Sequence, residues 1–122
     1  MPGSTRPAFR GGKNVAMKVP AHHYDATVAF YEDVLGVERL PGYDTPVFAF
    51  GPITLWIDRV PHLSQAELWL EVEADDTTAA RDWLEQHGVP REDALEPLPA
   101  DFDGCWVLAP SDIVHLVAAP GQ

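Results

Sequence analysis

Glu67, Trp69 and Glu71 stand at every second position, which sets two carboxylates either side of an indole along one strand face. Either carboxylate could serve as a general base, drawing a proton from carbon next to a carbonyl. With the indole between them, the same face suits a flat or cationic organic ligand, through stacking and cation–π contact. Trp56 and Trp106 fall on other strand-like segments and would extend that aromatic surface. The structural alternative is that these rings fill core or interface space and that the acids form a solvated face. Asn14 and Lys18 share a face of a further strand, where the lysine could hold a ligand carboxylate or simply solubilise an edge. His115 interrupts an apolar run from Ile113 to Val117. It reads either as a base or ligand, or as a hydrogen-bonded core residue. His22 and His23 sit in a loop and read as exposed.

The elements that must position these groups occur twice. Residues 14–19 alternate as a strand, with Val15, Met17 and Val19 opposite Asn14, Ala16 and Lys18. A helix is expected from about Asp25, as N-cap, to Leu35, with an apolar stripe of Val28, Tyr31, Val34 and Leu35, stopped by Gly36. Residues 67–73 alternate again, and a second helix from Asp75 or Asp76 to His87 is stopped by Gly88. Its apolar face is Ala80, Trp83, Leu84 and His87, with Trp83 expected in the core. The strand copies are offset by 53 residues and the glycines by 52. A unit this small cannot easily bury its own apolar face, so two copies are expected to pack together. Strands are expected at 37–40, 46–50 and 53–58 after the first helix, and a hairpin of 105–109 and 113–118 closes the second copy. Residues 89–104, with three prolines, give no clear pattern. Strand–helix–strands, twice over, indicates an α+β fold.

The chain has 122 residues, enough for one compact domain with a real core. Residues 1–12 read as a flexible lead-in rich in Pro and Gly. No segment approaches the ~20 apolar residues of a membrane-spanning helix. The start of the chain lacks the apolar stretch of a secretory signal, which gives the expectation of a cytoplasmic protein. Cys105 is the only cysteine, so an internal disulfide and a cysteine-rich metal site are both excluded. It reads as a small residue at a strand start. The formal net charge is −11, and residues 67–103 carry twelve acids against Arg81 and Arg91. Nucleic acid is an unsuitable partner for such a surface, because phosphate binding needs a basic footprint. A cationic ligand would be attracted. No GxGxxG, P-loop, GxSxG or HExxH pattern is present, so nucleotide binding and the corresponding hydrolase chemistries have no support.

Residues 30–36, Phe-Tyr-Glu-Asp-Val-Leu-Gly, and the hairpin from Trp106 to Val117 resemble the vicinal oxygen chelate superfamily, the glyoxalase/bleomycin-resistance/dioxygenase group. The resemblance covers residues 13–118. It implies two βαβββ modules, 13–58 and 67–118, whose sheets curl around an open cup, and a homodimer that sometimes exchanges modules between chains. In metal-dependent members four side chains on strands one, four, five and eight bind a divalent ion, such as Ni, Mn, Fe or Zn, which polarises vicinal oxygens of the substrate. At those positions this chain offers Asn14, Trp56 with Asp58 next on the same face, Glu67, and His115 if the 110–112 turn is one residue short. Without that gap Leu116 takes the last place. Tryptophan cannot ligate a metal, since its indole nitrogen only donates.

The resemblance therefore implies one of two functions. One is a metal-free protein binding a small organic molecule in the cup, lined by Asn14, Lys18, Trp56, Trp69, Glu71 and Trp106. The alternative is a metal-dependent lyase, isomerase or dioxygenase acting on a small oxygenated metabolite, with Glu67 and His115 as catalytic residues and metal ligands.

Overall fold

In a computed structural model the described residues are 5–121. They form seven strands and two α-helices, an α+β arrangement of mixed parallel and antiparallel pairs. The strands are β1 (Phe9–Gly11), β2 (Asn14–Val19), β3 (Val47–Phe50), β4 (Ile53–Arg59), β5 (Glu67–Ala74), β6 (Gly104–Leu108) and β7 (Val114–Ala118). The helices are α1 (Ala21–Ala29), continued by a π-helical turn over Phe30–Val34, and α2 (Thr77–Gln86). Among the described residues no helix is long and apolar enough to cross a membrane. The chain forms two compact units, Lys13–Trp69, and Met1–Gly12 with Leu70–Gln122. They are called the first and second unit below; β5 begins in the first and ends in the second.

In the first unit the strand order is β3-β4-β2-β5, with β2 and β4 parallel and the other pairs antiparallel. Period-two alternation turns Val15, Met17 and Val19 of β2 towards α1. Val19, Phe48, Leu55 and Ile57 form the buried cluster, with Tyr24, Val28 and Tyr31 of the helix against it. Burial of each such side chain contributes roughly 1.5–3 kcal/mol. The helix starts four residues before the expected Asp25 cap. Pro20 has φ −63°, and its carbonyl accepts from His23 N–H at 3.0 Å, so the turn closes directly after the strand. The expected stripe is also cut short: Val28 and Tyr31 pack inward, but Val34 and Leu35 are exposed. The cause is the π turn. Leu35 N–H bonds back to Phe30, five residues earlier, and the wider turn rotates later residues off the helical phase. Gly36 then takes φ 69°, where a side chain would be strained.

The second unit has the order β1-β5-β7-β6, with β5 and β7 parallel. Asp76 caps α2 by accepting from Ala79 N–H at 3.0 Å, and Gly88 ends it at φ 76°. Ala80 of α2 packs on Ala74, Cys105, Val107 and Val117, with Phe9, Leu84 and Val89 at the margin. Trp83, expected in this core, is instead half-buried, with its ring 4.2 Å from that of His87. Burial pushes the Cys105 thiol pKa up.

Two further expectations are corrected. Residues 9–11 of the expected lead-in form β1, antiparallel to β5, and Arg10 donates to Glu73 at 3.1 Å and Asp75 at 3.2 Å. Residues 1–4 lie outside the described residues. The strand expected at 37–40 is reduced to one bridge, Arg39 to Phe48. The unreadable stretch 89–104 holds the matching bridge, Arg91 to Val107. Each unit thus carries strand, helix, bridge and a hairpin whose last strand returns parallel to the first, and this is the repeat seen in the sequence.

Candidate functional site

The first unit has one polar and aromatic face, opposite α1. Register places each of its residues. Ala16 of β2 lies between Trp56 of β4 and Trp69 of β5, and Lys18 lies between Asp58 and Glu67. Strands two apart in a sheet are roughly 10 Å from each other. Alanine is small, so the two indoles flank a low floor. Both rings are half-buried and both are tethered: Trp56 Nε1 donates to Asn14 Oδ1 at 3.0 Å, and Trp69 Nε1 donates to Glu67 Oε1 at 3.0 Å. Tyr43 meets Trp56 edge-on, with ring centroids 4.8 Å apart.

Lys18 is neither an edge lysine nor an open anion anchor. Its side chain is 2% exposed, its Nζ donates to Asp58 Oδ2 at 2.7 Å, and the same nitrogen lies 4.2 Å from the centre of the Trp69 ring. A buried ammonium needs such a partner, because an unpaired charge away from water costs several kcal/mol. The Asp58 carboxylate offsets the lysine's charge, and Glu67 on the same face leaves the floor net acidic. Cation–π attraction also draws Trp69 over the lysine.

The second unit's corresponding face carries different chemistry. Glu71, Leu116 and Trp106 stand side by side across β5, β7 and β6. Trp106 is 6% exposed, and its Nε1 donates to the Glu96 carbonyl at 2.9 Å, so residues before β6 cover it. Glu71 is buried under the chain at Gly12, whose N–H donates to the Glu71 carbonyl at 2.8 Å. A Cβ on residue 12 would lie 2.1 Å from Glu71 Oε1, so this close approach requires glycine.

His115 departs from its expected place. It pairs with Leu70 on one side and Val107 on the other, on the α2 side of the sheet and opposite Glu71, Trp106 and Leu116. Asp112 takes φ 65° in the turn that precedes β7. One position of register reverses the face of every side chain on a strand. Leu116, and not His115, therefore shares the face of Glu71 and Trp106, and in the first unit the Glu67 carboxylate accepts from the Trp69 indole.

These donors do not fit a divalent ion. On the first unit's face an indole N–H and an amide engaged by that indole leave too few oxygen and nitrogen donors for a protein-built shell. Among the described residues no group of three or more His, Cys, Asp and Glu side chains could hold one.

Solved structures share this backbone. The Mn(II)-bound glyoxalase from Novosphingobium aromaticivorans is similar over 88% of this chain and 38% of its own, with TM-score 0.60 and 23% identity. An anaerobic complex of homoprotocatechuate 2,3-dioxygenase from Brevibacterium fuscum with 3,4-dihydroxyphenylacetate is similar over 97% of this chain and 39% of its own, with TM-score 0.65 and 16% identity. Both are vicinal oxygen chelate proteins. The chain has the vicinal oxygen chelate fold. It spans less than two fifths of the glyoxalase and dioxygenase chains. A structure named as an NAD-dependent benzaldehyde dehydrogenase from Legionella pneumophila is also similar, over 86% of this chain and 97% of its own, with TM-score 0.55 and 12% identity. No family model matches the sequence, and no curated protein matches it. At these identities the likeness extends to the vicinal oxygen chelate backbone and not to an activity.

Sequence reasoning placed Asn14, Lys18, Trp56 and Trp69 on one face, and the first unit brings them together. It passed over Ala16 as the floor, Tyr43 as a third ring, and Asp58 as the partner of Lys18. Asp58 was legible: parallel pairing of two period-two strands sets it beside the lysine.

Proposed function

We propose that this protein binds a small, flat organic molecule, neutral or cationic, on the Ala16 floor between Trp56 and Trp69, and that it acts by holding the ligand. The observation that carries this reading is the pair of half-buried indoles, each fixed by its own N–H, either side of an alanine. Anchoring of a ligand carboxylate by Lys18 has no support, because Asp58 and Trp69 already engage the ammonium. The net charge of −11 favours a cation over an anion. The donor set gives the metal-dependent lyase, isomerase or dioxygenase reading little to build on.

The test is a titration with N-methylacridinium followed by tryptophan fluorescence. Saturable quenching is expected, weakened about tenfold by Trp69→Ala and by Trp56→Ala, since one stacking or cation–π contact contributes about 1 kcal/mol or more. Equal affinity in the wild type and both variants would overturn the site. A saturable thermal shift with Ni²⁺, Mn²⁺, Fe²⁺ or Zn²⁺, lost in Glu67→Ala, would instead establish the metal-dependent reading.

A further inference from the structure

On the first unit's face the charges are not spread evenly about the two indoles. Ala16 has Trp56 and Trp69 beside it, and two residues on, Lys18 has Asp58 and Glu67 beside it. In the other direction Asn14 has Thr54 beside it, and neither carries a charge. Lys18 does not present its ammonium to the face, because it is buried with Asp58 at 2.7 Å and lies against the Trp69 ring. Glu67 is exposed. A bound molecule therefore meets carboxylate at this end, and the lysine offsets only one of the two acids.

Glu67 is also held in place. Its Oε1 accepts from Trp69 Nε1 at 3.0 Å, which fixes the carboxylate at the edge of that indole. A carboxylate offers about four acceptor positions over its two oxygens, and this bond uses one. An alkylammonium carries three N–H donors and a full charge, so it answers both the open acceptor positions and the net acidity. A quaternary or ring-borne cation answers only the second. The step from Ala16 to Lys18 along the strand is roughly 6–7 Å. A ring lying over Ala16 therefore reaches Glu67 only if its ammonium stands off on a short saturated arm.

We propose that the ligand of the Trp56–Trp69 face is a primary arylalkylamine, whose ring lies over Ala16 and whose ammonium donates to the Glu67 carboxylate. This rests on the proposed function and narrows it, with Glu67 as the residue that selects the amine.

The experiment compares 2-phenylethylamine, 2-phenylethanol and 3-phenylpropanoate, which share a ring and a short arm and differ in the charge at its end. Each is titrated at neutral pH and low salt while the indole N–H resonances of Trp56 and Trp69 are followed. The amine is expected to bind about tenfold more tightly than the alcohol, the gain of one hydrogen bond between charged groups. The carboxylate should bind more weakly than either. Glu67→Gln keeps an oxygen for the Trp69 indole but removes the charge, and should bring the amine and alcohol affinities together. The proposal is overturned if the wild type binds amine and alcohol equally, if Glu67→Gln leaves their ratio as it was, or if the carboxylate binds best. N-methylacridinium separates this failure from failure of the binding face. Saturable quenching by acridinium, with equal binding of amine and alcohol, would keep the aromatic face and remove the amine. Absence of binding by all four probes would remove both.

Discussion

The two units share one topology and use it for opposite ends. In the first, β2 and β4 set Lys18 beside Asp58 on the open face and Met17 beside Ile57 on the helix face. At the equivalent places of the second, β5 and β7 set Glu71 beside Leu116 and Leu70 beside His115. An ion pair answers to an acid beside a leucine, and a fully buried isoleucine answers to a half-buried histidine. The polar group has moved from one face of the sheet to the other. The first unit thus presents a polar aromatic face, whereas in the second the corresponding face is covered at Trp106 and Glu71.

Swapping the two units' residues is the most direct way to break this comparison. Ile57→His should cost about 4 kcal/mol, because an imidazole would enter a filled core and lose both packing and a hydrogen-bond partner. The reverse change, His115→Ile, should lie within about 1 kcal/mol of the wild type, as that site has room. Urea unfolding of both variants measures the contrast, and equal losses would show that the two helix faces are alike. Asp58→Leu, which copies Leu116, should cost about 3 kcal/mol by stranding the buried Lys18 ammonium. Adding Lys18→Met should recover most of that loss, since an apolar pair can replace a buried ion pair. Failure of the double variant to recover would mean that Lys18 and Asp58 are not coupled. The smallest effect sharpens the second unit: Gly12→Ala should cost about 1–2 kcal/mol by displacing the Glu71 carboxylate, and Glu71→Ala should relieve it.

The fold was readable where alternation and punctuation agree. β2, β4 and β5 follow period-two patterns, and α2 runs from an aspartate cap to a glycine stop. The misses are places where a neighbour decides. β1 exists because β5 offers Phe9–Gly11 an edge to pair with. The strand at 37–40 shrinks to a bridge after a π turn, and the composition of residues 30–34 does not announce that turn. In the site, Lys18 and Trp69 were found by type, but their contact depends on β2 lying against β5.

The sequence alone determined the doubled unit, because strand period, helix period and a glycine in the left-handed region are local properties of a few residues. It also determined which groups could do chemistry. Only the tertiary structure decided which of them meet. Pairing register is set by hydrogen bonds between distant strands, and a single position of slip separates His115 from Leu116 across the sheet. For the same reason, only register could show that Ala16 lies between two tryptophans and that the one lysine on that face is already held by an aspartate.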